Sequence, residues 1–456
     1  MGAMSGKPLA AAIPGAIAQL ESAGVTTMIG TVVNPAGLIH AKTVSMARMA
    51  AFVDPGLGAS PVWHVFAIDQ AGVVVGGDIG VVGDRRIRID LDALSNLGDG
   101  LAWAPGSFFN QDGSPDPFCS RGTLARMEER LAAAGFDALV GHEMEFVLVA
   151  PDGTRLPSHL WAQYGLAGVL EFEGFVKDLT EAATRAGVAI EQLHPEYGAN
   201  QFEISLAPRS PVAAADQLVL TRIIVGRVAR LHGLRASLSP VPFAGSVGSG
   251  AHQHFSLVHD GVSLFSGGGG AHGMRPAGAA AVAGVLAGLA EAQGALCGSI
   301  LSGLRLQPSS WSGARVCWGT ENREAAVRFL EGGPGNPYGA NVEVKIVDPS
   351  VNPYFATAAI LGLALDGIER ELPLPMETTV DPATLTDAEL AAAGIELLPD
   401  SQPAVLDALA QSALLRTILG DSAVDAIVAV RRYEHDNFGD LTPDELAEKF
   451  RLSWSV

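Results

Sequence analysis

Four short stretches of this chain carry the residue types that do chemistry, and three of them repeat one spacing. Glu143 and Glu145 stand two apart inside the apolar run 138–149. Residues two apart on an extended strand share a face, so both carboxylates point the same way. His252 and His254 alternate likewise, as do Glu343 and Lys345, while Glu196 and Glu203 flank the turn Tyr197-Gly198-Ala199-Asn200. Each stretch alone has a plainer reading: a solvated edge strand, a cross-strand ion pair, an exposed turn. Together they describe one polar cavity in an otherwise apolar domain. Grouped carboxylates in such surroundings need positive charge between them. Five glutamates and one imidazole suit hard divalent ions, Mg²⁺ or Mn²⁺, better than zinc, and that much negative charge calls for at least two ions. Arg305, Arg323, Arg328 and Lys345 supply the cationic counterpart. Two metals among several arginines are suited to holding a polyphosphate and stabilising phosphoryl transfer. No Gly-x-x-x-x-Gly-Lys-Ser/Thr loop occurs, and no Gly-x-Gly-x-x-Gly forms the tight turn directly joining a strand to a helix, which argues against P-loop and Rossmann sites.

The elements that position these residues are read from hydrophobic period and turn chemistry. A helix is expected over 13–23, closed by Gly24. Strands over 25–33 and 38–44 are joined by the turn Asn34-Pro35-Ala36-Gly37. A second hairpin is expected over 62–68 and 73–75, and a short strand over 87–91. Pro105-Gly106 and the run Asp112-Gly113-Ser114-Pro115 read as repeated turns. The Glu143/Glu145 stretch reads as a strand buried on both faces. Further strands are expected over 188–194, 200–206, 252–257 and 342–347. Helices are expected over 122–135, 171–186, 213–233 (Arg222, Arg227 and Arg230 on its polar side), 276–302 and 353–370. Residues 311–328 read as irregular, 377–389 as a solvated loop, and the last eighty or so as helical.

With 456 residues, 48% hydrophobic and 17% charged, the chain can bury a sizeable core and is not of disordered composition. A net charge of −20 argues against non-specific nucleic-acid binding and is compatible with cationic substrates. Cys119, Cys297 and Cys317 are too few and too scattered for a disulfide framework. No signal peptide is evident, so a reducing cytoplasm is expected. The most membrane-like stretch, 277–290, is short, rich in Ala and Gly, and reads as a helix buried among helices.

The motifs resemble those of the glutamine synthetase superfamily, type I branch, over nearly the whole chain. The specific parts are Gly141-His142-Glu143-Met144-Glu145-Phe146, the run from His194 through Glu196 to Glu203, Gly248-Ser249-Gly250-Ala251-His252-Gln253-His254, the run from Glu321 through Arg323 to Arg328, and Val342-Glu343-Val344-Lys345 followed by Asp348 and Asn352-Pro353-Tyr354. The resemblance implies an α+β fold: a β-grasp N-terminal domain, residues 1–108, followed by a glutamine synthetase-type catalytic domain, residues 109–456, with a curved antiparallel sheet and flanking helices. It also implies roles. Glu145, Glu196 and Glu203 hold one metal, and Glu143, His252 and Glu343 the other, with two or three Mg²⁺ or Mn²⁺ in all. Glu191, His254 and Ser256 lie along ATP, and Arg323 and Arg328 grip its phosphates. Gly248 and Arg305 fix glutamate, with Lys345 near the transferring phosphoryl group; Arg305, Arg323 and Lys345 form the catalytic set. The implied reaction activates the glutamate side chain as γ-glutamyl phosphate, which an amine then attacks. The implied assembly is a dodecamer of two hexameric rings with active sites between subunits, with neither nucleic acid nor membrane as partner.

The departures from the family pattern concern the amine. Where ammonia-using members carry an Asp-Gly-Ser-Ser stretch, this chain reads Leu57-Gly58-Ala59-Ser60, and the flap position that carries their glutamate falls on Trp311. Val247 stands where a glutamate-contacting Asn is expected, and Lys345 where an Arg is. The adenylylated Tyr of regulated members has no counterpart near Ile395 to Pro399. Losing both carboxylates removes the trap and the base for ammonium, whereas an aromatic flap suits a longer amine. Leu57, Ser60 and Trp311 are therefore expected at the amine pocket, and the run 56–69 resembles γ-glutamylpolyamine synthetases, with Asp69 a further source of negative charge. Two alternatives stand: an ammonia-using glutamine synthetase in which Glu321 or Glu324 replaces the flap carboxylate, and a non-catalytic ATP-binding paralogue with a regulatory role.

Overall fold

A computed structural model describes residues 9–73, 79–336 and 338–456. Its first sheet is built from β1 (Thr27–Val33), β2 (Ile39–Ser45), β3 (Leu57–Ala59), β4 (Arg85–Ile89), β5 (Ser95–Gly98) and β6 (Leu101–Phe109). The order is β2-β1-β6-β4-β3, with β5 also on β6. The central pair β1/β6 is parallel and its neighbours antiparallel. Ile13, Ile17 and Leu20 of the helix Leu9–Ser22 pack onto this sheet with Met28, Phe52 and Ala102, as expected of a β-grasp unit. In the β1–β2 turn, Asn34 accepts the Leu38 N–H at 3.0 Å, and Gly37 adopts φ +77°. A Cβ on Gly37 would lie 2.2 Å from the Ser350 carbonyl oxygen, so glycine also lets this turn press against the larger unit.

Pro105 and Gly106 lie inside β6, not in a turn. They sit where β6 changes partner, Pro105 opposite Thr31 of β1 and Gly106 opposite Ile89 of β4. The second hairpin is reduced to its tip over its described part, where the Val73 N–H donates to the Val65 carbonyl and the Ala67 N–H to the Ala71 carbonyl, both at 2.9 Å. Ser60 accepts the Val62 N–H and Pro61 opens a 3₁₀ turn, Pro61–His64, followed by the single bridge Phe66–Gly72. Residues 74 and 75 lie outside the described residues.

The second sheet is mostly antiparallel and curled, with flanking helices. Its strands are β7 (Phe136–Val149), β8 (Ile190–Pro195), β9 (Gln201–Leu206), β10 (Arg235–Ser237), β11 (Gln253–His259), β12 (Val262–Ser263), β13 (Arg315–Thr320), β14 (Ala325–Leu330), β15 (Asn341–Val344) and β16 (Glu396–Leu397). The path runs β16-β13-β14-β15-β11-β7-β9-β8. Strand β7 is buried on both faces only from Phe146 onward. Before that Val140, His142 and Met144 are buried, whereas Leu139, Gly141, Glu143 and Glu145 face an open side. The curled sheet lays its helices against one face, and the other face becomes the site. The stretch read as irregular holds two strands, β13 and β14, on either side of the turn 321–324.

Helix Pro353–Glu369 starts at Asn352, whose side chain accepts the Tyr354 and Phe355 N–H groups. It packs on Pro276–Leu296, the one described helix long and apolar enough to cross a membrane, 78% of whose most apolar window is buried inside the protein. Gly284 makes the close crossing possible, since a Cβ there would lie 2.2 Å from the Leu363 carbonyl oxygen. Arg222 does not lie on a polar side of helix Pro211–Leu231; it is only 1% exposed. The loop at Glu377 is tied down as well, accepting the Thr320 N–H at 2.9 Å. Asn352 Nδ2 donates to the Val33 and Asn34 carbonyls at 2.9 and 3.1 Å, and Asp116 accepts from His64 and Arg85 at 2.9 and 3.0 Å, joining the two sheets.

Candidate active site

Register brings the carboxylates together. Glu145 of β7 lies directly opposite Glu203 of β9, which also faces His194 of β8. Glu343 of β15 lies opposite Arg328 of β14 on one side and His254 of β11 on the other. His252, one residue before β11, is drawn in by its carbonyl, which accepts the Glu143 N–H at 3.0 Å. Three groups result whose ligand atoms lie within 4.8 Å of one another: Glu143, His252 and Glu343; Glu145, Glu203 and His252; and His194, Glu196 and Glu203.

Electrostatics in this cluster are those of a cation site. Burial opposes ionisation of Glu143, but hydrogen bonding and charge from His252 and His254 outweigh it and hold its carboxyl well below the usual range. The same contest at Glu343, with Lys345 the strongest favourable partner, brings it to about 2. Glu203 goes the other way: burial, then the charge of Glu143, pushes it up to about 8. His194 is raised to about 9 by its hydrogen bond to Glu203, and His254 to about 9 because Glu143 overcomes burial. Without an ion, protons must compensate for carboxylates packed this closely. An oxygen-rich donor set with few imidazoles fits Mg²⁺ or Mn²⁺.

Hydrogen bonds fix the set. Lys345 Nζ donates to Glu343 Oε1 at 3.2 Å, and Arg328 donates to Glu343 Oε2 at 3.1 Å and to Glu321. Gln201 Nε2 donates to Glu145 Oε2 and to the Gly248 carbonyl, both at 2.9 Å. Arg305 donates to the Ile346 and Lys345 carbonyls at 3.0 and 3.2 Å and reaches His252 Nε2 at 3.4 Å. A Cβ at Gly250 would lie 2.6 Å from His252 Nε2, 2.8 Å from Arg305 Nη2 and 2.9 Å from Glu145 Oε1. The Gly-rich stretch is therefore where metal-type and cationic groups converge.

Beside the cluster opens a cavity of about 580 Å³, lined among others by Glu143, Glu191, His254, Ser256, Tyr338 and Asn341. Three of the five residues expected along ATP thus share it. Arg323 is exposed in the turn between β13 and β14, and neither it nor Arg328 lines the cavity. Leu57 and Ser60 stand on the first sheet, Leu57 against its core, and they do not line the cavity either. Asp69 is engaged, accepting from the Tyr433 hydroxyl at 3.1 Å and from Ala71 N–H at 3.0 Å. Val247 is 38% exposed near the Gly-Ser-Gly turn. Trp311 is half exposed, its ring edge-on to Tyr197 at 6.1 Å. Sequence reasoning passed over His194, Gln201, Tyr164, Tyr197 and Asn341. The alternation that singled out Glu203 carries the first two as well, His194 opposite Glu203 and Gln201 two residues before it.

The geometry is a cavity beside a bank of grouped carboxylates able to hold divalent cations, and comparison with known proteins gives the class. Residues 117–448 match the family model described as the catalytic domain of glutamine synthetase. The chain is 38% identical over 445 residues to a gamma-glutamylpolyamine synthetase of Streptomyces coelicolor, covering 96% of this chain and 95% of that one. It is 30% identical over 334 residues to glutamine synthetase of Pyrococcus abyssi, covering 73% and 74%. A crystal structure described as a novel glutamine synthase homolog superimposes with a TM-score of 0.84 at 29% identity, covering 94% of this chain and 99% of that one. The chain belongs to the glutamine synthetase family, whose members are ATP-dependent ligases using divalent metals.

Proposed function

We propose that the protein joins the side-chain carboxylate of glutamate to a polyamine such as putrescine, spermidine or spermine. One observation carries the choice of amine. Both carboxylates that could replace the lost ammonium-site glutamate are engaged, Glu321 with Arg328 and Glu324 with the Trp311 N–H at 2.8 Å, while an aromatic pair, Trp311 and Tyr197, stands beside Glu196. An ammonium trap needs a free carboxylate there; an alkyl chain needs a wall. The similarity to the Streptomyces protein supports the same reading.

In this reading Glu143, Glu145, Glu196, Glu203, His252 and Glu343 hold the ions, which neutralise the cluster and stabilise charge on a transferred phosphoryl group when bound. Glu191, His254 and Ser256 line the nucleotide, and Arg323 and Arg328 serve its phosphates. Gly248 and Arg305 orient glutamate, and Lys345 faces the γ-carboxylate as it becomes γ-glutamyl phosphate. Positioning and charge neutralisation supply most of the rate. Leu57 and Ser60 reach this aromatic pair from a neighbouring subunit in a cytoplasmic dodecamer.

The test gives purified protein ATP, Mg²⁺, glutamate and, in turn, ammonium, putrescine, spermidine, spermine or ethanolamine, and measures phosphate release and γ-glutamyl product. Polyamine product is expected; product from ammonium alone overturns the reading. Glu145→Ala should abolish turnover.

A further inference from the structure

The turn that carries Trp311 is built in an unusual way. Ser309, Trp311 and Gly313 all have left-handed backbone, with φ of +58°, +55° and +76°. A bulky residue rarely adopts that conformation, and it persists only where its surroundings hold it. Here the holder is Glu324. Its Oε1 accepts the Trp311 N–H at 2.8 Å. The turn is pinned from below as well, because a Cβ on Gly313 would lie 3.0 Å from the Lys345 Cβ. Ser310 and Ser312 both donate to the Gln307 carbonyl, closing the base of the turn.

This construction leaves half of a tryptophan ring in solvent instead of burying it. The ring stands edge-on to Tyr197 at 6.1 Å, and Tyr197 is itself half exposed. Tyr197 is the residue after Glu196, and its N–H donates to Glu196 Oε2 at 2.9 Å. Tyr164, also half exposed and also left-handed at φ +55°, lies near the same carboxylate, whose charge adds to burial in raising its hydroxyl's pKa. Two exposed tyrosines thus flank Glu196, and Trp311 stands against one of them. Solvent exposure of all three costs apolar surface, and clustered aromatic faces match an alkylammonium chain: methylenes against the rings, cationic nitrogen over a face.

Resting on the polyamine reading above, we infer that Trp311 and Tyr197 form the wall along which the acceptor amine lies, and that Glu324 is a positioning residue that folds the turn presenting Trp311. Glu324 touches no substrate; it acts through the Trp311 N–H. An acceptor with methylenes between its nitrogens uses the wall, whereas ammonium does not reach it.

The experiment measures KM for spermine, putrescine and ammonium, with KM for ATP and glutamate, in wild type and in Trp311→Ala, Trp311→Phe, Tyr197→Ala, Glu324→Ala and Glu324→Gln. Losing a half-exposed cation–π wall should raise KM for spermine about tenfold in Trp311→Ala, and somewhat less in Tyr197→Ala and Trp311→Phe. Glu324→Ala should reproduce Trp311→Ala, whereas Glu324→Gln, whose amide oxygen still accepts the Trp311 N–H, should recover most of the loss. KM for ATP and glutamate should move less than twofold, which also shows that the variants are folded. If wild type uses polyamines but Trp311→Ala leaves their KM within twofold, the wall is overturned alone. Should Glu324→Gln behave like Glu324→Ala, or ATP and amine KM rise together, the positioning role is overturned. If wild type turns over ammonium only, the polyamine reading fails and the inference with it.

Discussion

Replacing Gln201 tests whether the carboxylate cluster is held by the protein or merely collected there. Gln201 is fully buried. Its amide nitrogen donates to Glu145 Oε2 and the Gly248 carbonyl, both at 2.9 Å, and its oxygen accepts the Gly198 N–H at 2.8 Å. One amide therefore joins a metal-type carboxylate, the Gly-rich turn beside Arg305 and the turn between Glu196 and Glu203. Gln201→Leu keeps the volume but orphans a buried carbonyl, a buried N–H and one oxygen of Glu145. A neutral hydrogen bond lost this way costs about 1 kcal/mol and one to a charged group about 1.5–3 kcal/mol, so the variant should lose about 4 kcal/mol. For a chain of this length that lowers Tm by about 4 °C.

The functional consequence is the sharper one. Removing a group that orients a ligand typically costs about 10–100-fold in metal affinity or activity. Chelator-treated Gln201→Leu should therefore need at least tenfold more Mg²⁺ for half-maximal phosphate release. Gln201→Glu should behave differently. It places a further carboxylate where a donor stood, so its metal-free form is self-repelling, and Mg²⁺ should raise its Tm by more than it raises that of wild type. Half-saturation by Mg²⁺ within twofold of wild type in Gln201→Leu would refute the claim that Gln201 positions Glu145.

Three further outcomes are expected. Glu343→Gln leaves Lys345 and Arg328 facing each other without their shared carboxylate, and such a broken buried pair costs about 3–5 kcal/mol; urea unfolding should show the loss, and Mg²⁺ should no longer protect. Burial alone would raise the Asp116 carboxyl, but the hydrogen bond and charge of His64, with Arg85, hold it below its ordinary value. A depressed carboxylate stabilises the fold above its unfolded pKa of about 3.9 and loses that contribution as pH falls through the folded value. The stability gap between wild type and Asp116→Asn, measured by urea midpoints, should therefore be full at pH 7 and shrink below about pH 4. Gly284→Ala drives a methyl to 2.2 Å from the Leu363 carbonyl oxygen and should cost about 1–3 kcal/mol by calorimetry, with the KM for ATP unchanged.

How much of this was legible depends on which distances the chain itself fixes. Strand parity is local, so the shared face of Glu143 and Glu145 followed from a spacing of two, and the turn at Asn34 to Gly37 followed from its residue types. Register is not local. That Glu203 faces Glu145, and that Arg328 faces Glu343, is decided by pairing between β7 and β9 and between β14 and β15. Family motifs supplied those groupings; periodicity did not. Where motif and period were both silent, reading failed for a physical reason. β13 and β14 are short and mostly buried, and mix Arg315, Trp318, Gly319 and Arg328 among their apolar residues, so no period of two stands out. Arg222 looked like a polar-face residue because nothing in a helix period reveals that helix Pro211–Leu231 is covered on that side too. The aromatic pair was half legible: Trp311 stood out by its position, yet Tyr197 and Glu324, one beside a metal-type glutamate and one in a turn of charges, gain a meaning only when the fold sets all three side by side. Such residues serve neither the core nor the chemistry common to the family, so what distinguishes one amine ligase from another is the part that parity and motif leave unread.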